Sequence, residues 1–210
     1  MSRIRGQSVS ETNHRLVASA MRRFSKCGVA NTKIDEICAD AEVSRKTLYE
    51  YYDGKYALFD SILNSEAGFF LDKLESVDKS LSPDQVLRDL FYLIFDEFAS
   101  GFGFLMSEIA FNDQISIPKR AKQASKICMD IVDTVIRSGI ESGKFHKNTD
   151  PKNYVATMNI LINGFYSSAR AVEQLTDIEL RGNNSSSIWR ESLASTLIFS
   201  ILRRDVASDP

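Results

Sequence analysis

The densest set of chemically useful side chains is Ser44-Arg45-Lys46-Thr47, with Tyr49, Glu50 and Tyr51 close behind. These are hydrogen-bonding groups, with no nucleophile–base pair and no metal-ligand cluster among them. Arg45, Lys46 and Thr47, with Tyr51 as a fourth, are residue types that read base edges. Arginine or lysine donates to guanine acceptors and a threonine methyl touches the thymine methyl; a well-placed bidentate contact discriminates by about 1–3 kcal/mol. Side chains of this kind act together only if a short helix carries them at its leading end.

The elements that would position them follow from punctuation and periodicity. Ser8-Val9-Ser10-Glu11 has capping-box spacing. It opens a first helix over about residues 10–27, with Val17, Ala20, Met21 and Phe24 at helical intervals and Gly28 as its stop. Thr32, followed by Asp35, reads as the cap of a second helix over 33–40. Ser44 is a good cap for a third over 44–51. Two short helices joined by a three- to four-residue turn outline a helix-turn-helix. Ile34, Ile37, Cys38, Ala41, Val43, Leu48 and Tyr52 take its inward positions, so Cys38 is expected to be a small buried hydrophobe.

The run Phe24-x3-Gly28-x3-Thr32-Lys33-Ile34-Asp35-Glu36-Ile37-Cys38-Ala39-x-Ala41-Glu42-Val43-Ser44-Arg45-Lys46-Thr47-Leu48-Tyr49-x-Tyr51-Tyr52-x2-Lys55-x2-Leu58 resembles the DNA-binding domain of TetR-family transcriptional regulators over about residues 10–60. The resemblance implies phosphate contacts from Tyr49 and from Lys55 at the start of the fourth helix. Both make physical sense, because a phenol on a rigid helix gives one oriented hydrogen bond and a helix N-terminus favours an anion. Thr32 and Lys33 would clamp the other flank of the groove, and Ser44 would sit beside them. Arg3 and Arg5 on an N-terminal arm would add sequence-independent contacts. Two positions depart from expectation. Glu42 stands where many members have glycine, at a place that is often left-handed and costs a non-glycine residue about 1–2 kcal/mol. Glu50 places an acid inside the DNA-facing helix, either to accept from cytosine or, the reading favoured here, to orient Arg45 or Lys46.

Charge agrees with a polyanion-facing head. Residues 1–56 carry ten Lys/Arg against seven Asp/Glu, and the remainder sixteen against twenty-one. Asp53 is expected to cap a long fourth helix running to about Val77, and the polar stretch Asp78 to Ser82 ends it. Ser82-Pro83, Pro118 and Asp150-Pro151 open further helices, and a ninth is expected from Ile188 to about Arg204. The expected fold is all-α, about nine helices. A helix-turn-helix domain over 1–56 and a helical ligand-binding and dimerisation domain over 57–210 are linked by the fourth helix.

The body is rich in aromatics and methionine at helical spacing. Most should be core, but the resemblance implies an inducer held between helices. The candidates to line such a site are Phe95, Phe98, Phe102, Met106, Phe111, Met129, Met158 and Phe165, with Glu97, Glu108, Asn112 and Asn159 as polar handles. The apolar stripes of the eighth and ninth helices, Val155, Met158, Ile162 and Tyr166 with Trp189, Leu193, Leu197 and Ile201, are too large for one partner face. They suit a four-helix bundle between two copies, and a twofold dimer needs a pseudo-palindromic operator.

Other classes fit poorly. Cys27, Cys38 and Cys128 form no CxxC pair, His14 and His146 stand alone, and no metal site or cofactor is expected. Gly139-Ile140-Glu141-Ser142-Gly143-Lys144-Phe145 has the wrong spacing for a phosphate loop and lacks its Ser or Thr. No apolar run reaches the ~18–20 residues of a membrane span, and a cytoplasmic location is expected. The sequence therefore reads as a DNA-binding regulator, a repressor released by an unidentified small molecule. The rival readings are the same fold controlled by a protein or by no ligand, and an enzyme on a helical scaffold.

Overall fold

The computed structural model describes residues 2–176, 178–180 and 183–203. Its helices are α1 (Ser2–Asn31), α2 (Ile34–Asp40), α3 (Arg45–Tyr51), α4 (Lys55–Glu75), α5 (Pro83–Glu97), a π-helical turn (Phe98–Phe102), α6 (Gly103–Phe111), α7 (Lys119–Glu141), α8 (Pro151–Thr176) and α9 (Asn183–Phe199). The only strand-like pairing among the described residues is an isolated bridge between Phe145 and Leu202. An all-α fold is what the sparse proline and helical apolar spacing predict.

Two compact units emerge. The first comprises residues 1–69 and 104–122, the second 70–103 and 123–210. The division expected at residue 56 falls inside the first unit, which also takes in α6.

In the first unit α1 is longer than expected: no proline lies between Ser2 and Ser10, and the backbone there is helical rather than a free arm despite Gly6. Gly28 has φ 77° and kinks the helix, a conformation glycine adopts without a Cβ penalty. Leu16, Ala20 and Phe24 are fully buried with Ile37, Leu48, Leu58 and Phe59, and the Phe24 and Phe59 rings meet edge to face at 5.8 Å. Two polar ties fix α2 against α1. The buried Ser19 hydroxyl donates to the Ile37 carbonyl at 2.9 Å. Arg23 grips Asp40 with two hydrogen bonds of 2.7 Å, and this guanidinium holds the Asp40 carboxyl below its ordinary range.

The turn after α2 explains the Glu42 departure. The Val43 N–H donates to the Cys38 carbonyl at 3.0 Å and the Glu42 N–H to Ala39 at 3.2 Å. That pattern is a Schellman motif, and it places Glu42 in the left-handed region at φ 55°. The Val43 N–H thus closes back onto the helix the chain has just left, and the next residue is the Ser44 cap.

The second unit is built on Leu87, Leu90, Phe91 and Phe95 of α5, Val132 and Ile136 of α7, Met158 and Ile162 of α8 and Leu197 of α9, all essentially inaccessible. Asp150 accepts from the Lys152 N–H at 2.8 Å, the expected cap of α8. The Ser82 hydroxyl instead turns to Asp84 and Gln85. After α7 the chain turns at Gly143, and Phe145 packs so closely on Gly139 that a Cβ there would lie 2.1 Å from its ring. Helix α9 starts and stops about five residues earlier than expected. The residues after Phe199 are diverted into pairing with the α7–α8 connection, where the His146 N–H donates to Ile201 and the Arg203 N–H to Lys144, both at 2.9 Å.

Replacing Glu42 with glycine removes the left-handed strain and loses only an exposed 3.7 Å pair with Arg15. The gain, offset in part by the freer unfolded chain, is about 1 kcal/mol, or a rise of about 2–4 °C in Tm for a chain of this size. Thermal unfolding followed by circular dichroism checks this; an unchanged or lower Tm contradicts the strain.

Candidate nucleic-acid interface

Helix α3 is only seven residues long and is held by one buried side chain and one cap. Leu48 is fully buried. The Ser44 Oγ accepts from the Thr47 N–H at 3.0 Å and shares a 2.9 Å hydrogen bond with the Thr47 hydroxyl. Ser44 is therefore committed to the helix end. Arg45, Lys46, Tyr49 and Glu50 are exposed, Thr47 and Tyr51 half-exposed. Every base-reading candidate thus has accessible surface on the short helix that follows the turn.

The Arg45 guanidinium is not loose. Its Nε lies 3.3 Å from Asp35 Oδ1 and its Nη1 donates to Oδ2 at 3.5 Å. A hydrogen bond with Tyr49 on the next turn and the Asp35 charge together hold the guanidinium above the ordinary arginine range. The expectation that Glu50 orients a basic neighbour is corrected: Asp35 of α2 does so, and Glu50 makes no ion pair among the described residues. Sequence reasoning took Asp35 for the acid three places after a Thr32 cap. Only the packing of α2 against α3 shows that it also reaches Arg45, ten positions on.

Arg45, Lys33 and Lys55 line one groove with Asp35, Gly54 and Tyr56. Lys33 is exposed in the N-cap position of α2, with no side-chain cap of its own. Thr32 does not cap that helix and is corrected as a phosphate ligand. It is 2% exposed, and both its hydroxyl, at 2.8 Å, and its N–H, at 3.2 Å, donate to Gly28. Lys55 is half-buried, and its Nζ donates to the carbonyls of Ala30 and Thr32, the latter at 3.0 Å. It thereby ties the start of α4 to the α1–α2 connection while holding its charge beside the groove, 5.4 Å from the Tyr56 ring centre. The side chains of Arg3 and Arg5 lie outside those described.

Of the expected inducer residues, Phe95, Phe98 and Phe165 gather with Tyr166 in an aromatic cluster, but none of the three lines the cavity beside α7. Phe95 and Met158 are buried core, and the Phe165 and Tyr166 rings each pack 5.1 Å from Phe95. Phe98 stacks on Tyr166 at 6.2 Å. Glu97 is buried in an ion pair with Lys73. Glu108 and Met106 belong to the first unit, where Glu108 accepts from the Val29 N–H at 3.0 Å just past the Gly28 kink. Asn112 closes a turn onto the Gln114 N–H, Asn159 is exposed and donates to Val155, and Met129 is half-buried. Phe102 and Phe111 have side chains outside those described. A cavity of about 510 Å³ in the second unit is lined instead by Glu75, Lys79, Leu81, Pro83 and Val86, and by Ile127, Asp130, Ile131, Thr134, Val135 and Ser138 of α7. None of the expected residues whose side chains are described lines it.

The stripes assigned to a partner also need correcting. Met158, Ile162, Leu197 and Ile201 are buried within the chain itself, and the Tyr166 hydroxyl donates to the Phe95 carbonyl at 3.0 Å. Val155, Trp189 and Leu193 keep partial exposure. The uncovered apolar surface of α8 and α9 is displaced by a fraction of a turn: Ile160 is 70% and Ile188 68% exposed, and a shallow groove of Ile160, Leu161, Gly164, Trp189 and Leu193 runs between the helices.

Comparison with known proteins agrees with this arrangement. Residues 16–62 match the family model described as bacterial regulatory proteins, tetR family. The HTH-type transcriptional regulator SrpR of Pseudomonas putida is 23% identical over 180 residues, covering 85% of this chain and 84% of its own. The HTH-type transcriptional repressor SCO4008 of Streptomyces coelicolor is 33% identical over 75 residues, 36% of each chain. The transcriptional regulator FadR of Bacillus subtilis, solved in complex with stearoyl-CoA, shares the fold with a TM-score of 0.61 at 15% identity, over 88% of this chain and 97% of that one. No described helix is long and apolar enough to cross a membrane. Residues 16–62 are thus a tetR-type DNA-binding domain, and the chain is a DNA-binding transcriptional regulator similar along most of its length to relatives of that kind.

Proposed function

We propose that the protein is a homodimeric repressor that leaves a pseudo-palindromic operator when a small molecule occupies its second unit. The observation that carries the DNA-binding half is the exposed, capped leading end of α3. Arg45, Lys46, Thr47 and Tyr51 are the base readers, with Lys33, Tyr49 and Lys55 on phosphates. The repressor sense is supported by the relative named as one, and ligand control by the fold neighbour solved with stearoyl-CoA. The second copy covers the Ile160, Leu161, Gly164 and Leu193 surface of α8 and α9, whose apolar groove has no covering element among the described residues. Control is linkage: a ligand preferring the DNA-incompetent arrangement weakens DNA binding by the factor by which DNA weakens the ligand. About 1–3 kcal/mol of coupling suffices.

Selection of bound DNA from a random pool, followed by salt titration, tests the assignment. Lys46→Ala relaxes the preference at one base position per half-site. Lys55→Ala weakens all sequences alike and lowers the salt slope by about one. Equal behaviour of the two variants overturns the division of labour.

Asp35 restrains Arg45 and sets a negative charge beside the DNA face. Asp35→Asn therefore raises affinity for random-sequence DNA and steepens its salt dependence, while the preference for the selected site over random DNA shrinks. Fluorescence anisotropy with both duplexes reads this; unchanged discrimination contradicts a positioning role for Asp35.

A further inference from the structure

The cavity in the second unit has a charge pattern that selects its occupant. Helix α7 contributes two parallel ladders at four-residue spacing: apolar Ile127, Ile131 and Val135, and polar Asp130, Thr134 and Ser138. Four-residue spacing keeps each ladder on one side of the helix. At 1.5 Å per residue they line a wall about 16 Å long. Ile131 and Val135 are nearly inaccessible and, with Val86 of α5, form an apolar floor. Asp130, and Glu75 at the end of α4, are exposed carboxylates lining the same cavity from different helices. Neither makes an ion pair among the described residues. The third charged lining residue, Lys79, lies beyond the end of α4 and is exposed like the two carboxylates, which leaves the lining with one net negative charge.

We propose that this cavity binds an elongated amphiphile with a cationic head, its alkyl or aryl body along Ile127, Ile131 and Val135 and its protonated amine or quaternary ammonium between Glu75 and Asp130. A volume of about 510 Å³ suits a drug-sized molecule. An apolar floor favours the body by removing it from water, and two carboxylates against one ammonium favour a cation over an anion. This inference deepens the ligand-responsive reading above and rests on it for its regulatory meaning, though binding itself can be measured without DNA.

The test uses decyltrimethylammonium and decanoate, chains of equal carbon number and opposite charge, below their micellar concentrations, with the full-length protein in a calorimeter. Decyltrimethylammonium binds saturably at one site per chain and decanoate more weakly. The double variant Glu75→Gln/Asp130→Asn loses about tenfold in affinity for the cation, the size expected of two partly exposed charge pairs, and raising the salt concentration reduces the wild-type affinity. Thr134→Trp, which fills the cavity from an exposed position, abolishes binding while the melting temperature holds. Equal or tighter binding of decanoate, indifference to the carboxylate substitutions, or no saturable binding overturns the proposal. Operator release is then read separately. A cation that binds but leaves DNA affinity unchanged keeps the site and refutes its coupling to DNA. Release by some other ligand with no cation binding refutes the site and leaves the ligand-responsive reading standing.

Discussion

A helix of seven residues does not persist alone in water, since its nucleation cost is never recovered over so short a length. Helix α3 is such a helix, and the burial of Leu48 keeps it in place. Full burial of a leucine contributes about 1.5–3 kcal/mol, and the Ser44 cap adds about 1 kcal/mol. Because Leu48 takes the inward side, Arg45, Lys46 and Tyr49 are left on the surface of the same short element. The scaffold receiving Leu48 is itself held by two polar ties, one buried and one at the surface. Ser19 spends its hydroxyl inside the core on a backbone carbonyl, and Arg23 meets Asp40 through a two-pronged contact. The exposed surface of α3 is thus set by side chains that never face the solvent side of that helix.

The helix-turn-helix was legible because its constraints are local. Gly28 marks a kink that requires positive φ, Ser44 a cap, and Glu42 a left-handed residue where glycine would be easier, and each is decided within a few residues of chain. Thr32 was misjudged because two local rules compete for it. A threonine before a helix can cap that helix, or its hydroxyl can bond back four residues, and here it bonds back to Gly28. The Lys55 contacts with Ala30 and Thr32 and the Asp35–Arg45 pair were invisible for a different reason. They join residues brought together only by packing of one helix on another.

The second unit was less legible because periodicity gives a helix's apolar stripe without saying which neighbour covers it. On α8, Met158 and Ile162 satisfy the stripe from within the chain, while Ile160 and Leu161, one or two positions away, carry the uncovered surface. An aromatic at helical spacing is equally silent about whether it fills a core or lines a cavity. Phe95 fills the core. The lining of the cavity comes instead from ordinary residues of α7, whose significance depends on Glu75 and Val86 approaching from other elements. Glu108 shows the same limit: a carboxylate that looked like a ligand handle is the acceptor for a backbone N–H left over by the Gly28 kink.

The central claim is that two copies of the α3 surface enter successive major-groove exposures of one duplex. Dimethyl sulfate probing of the bound operator measures this directly, because the reagent methylates guanine N7 in the major groove and adenine N3 in the minor groove. The account predicts protection of guanine N7 in two symmetric blocks whose centres are about 10–10.5 base pairs, or a whole multiple of that, apart. Protection confined to adenine N3, or a single block without a symmetric mate, would contradict it.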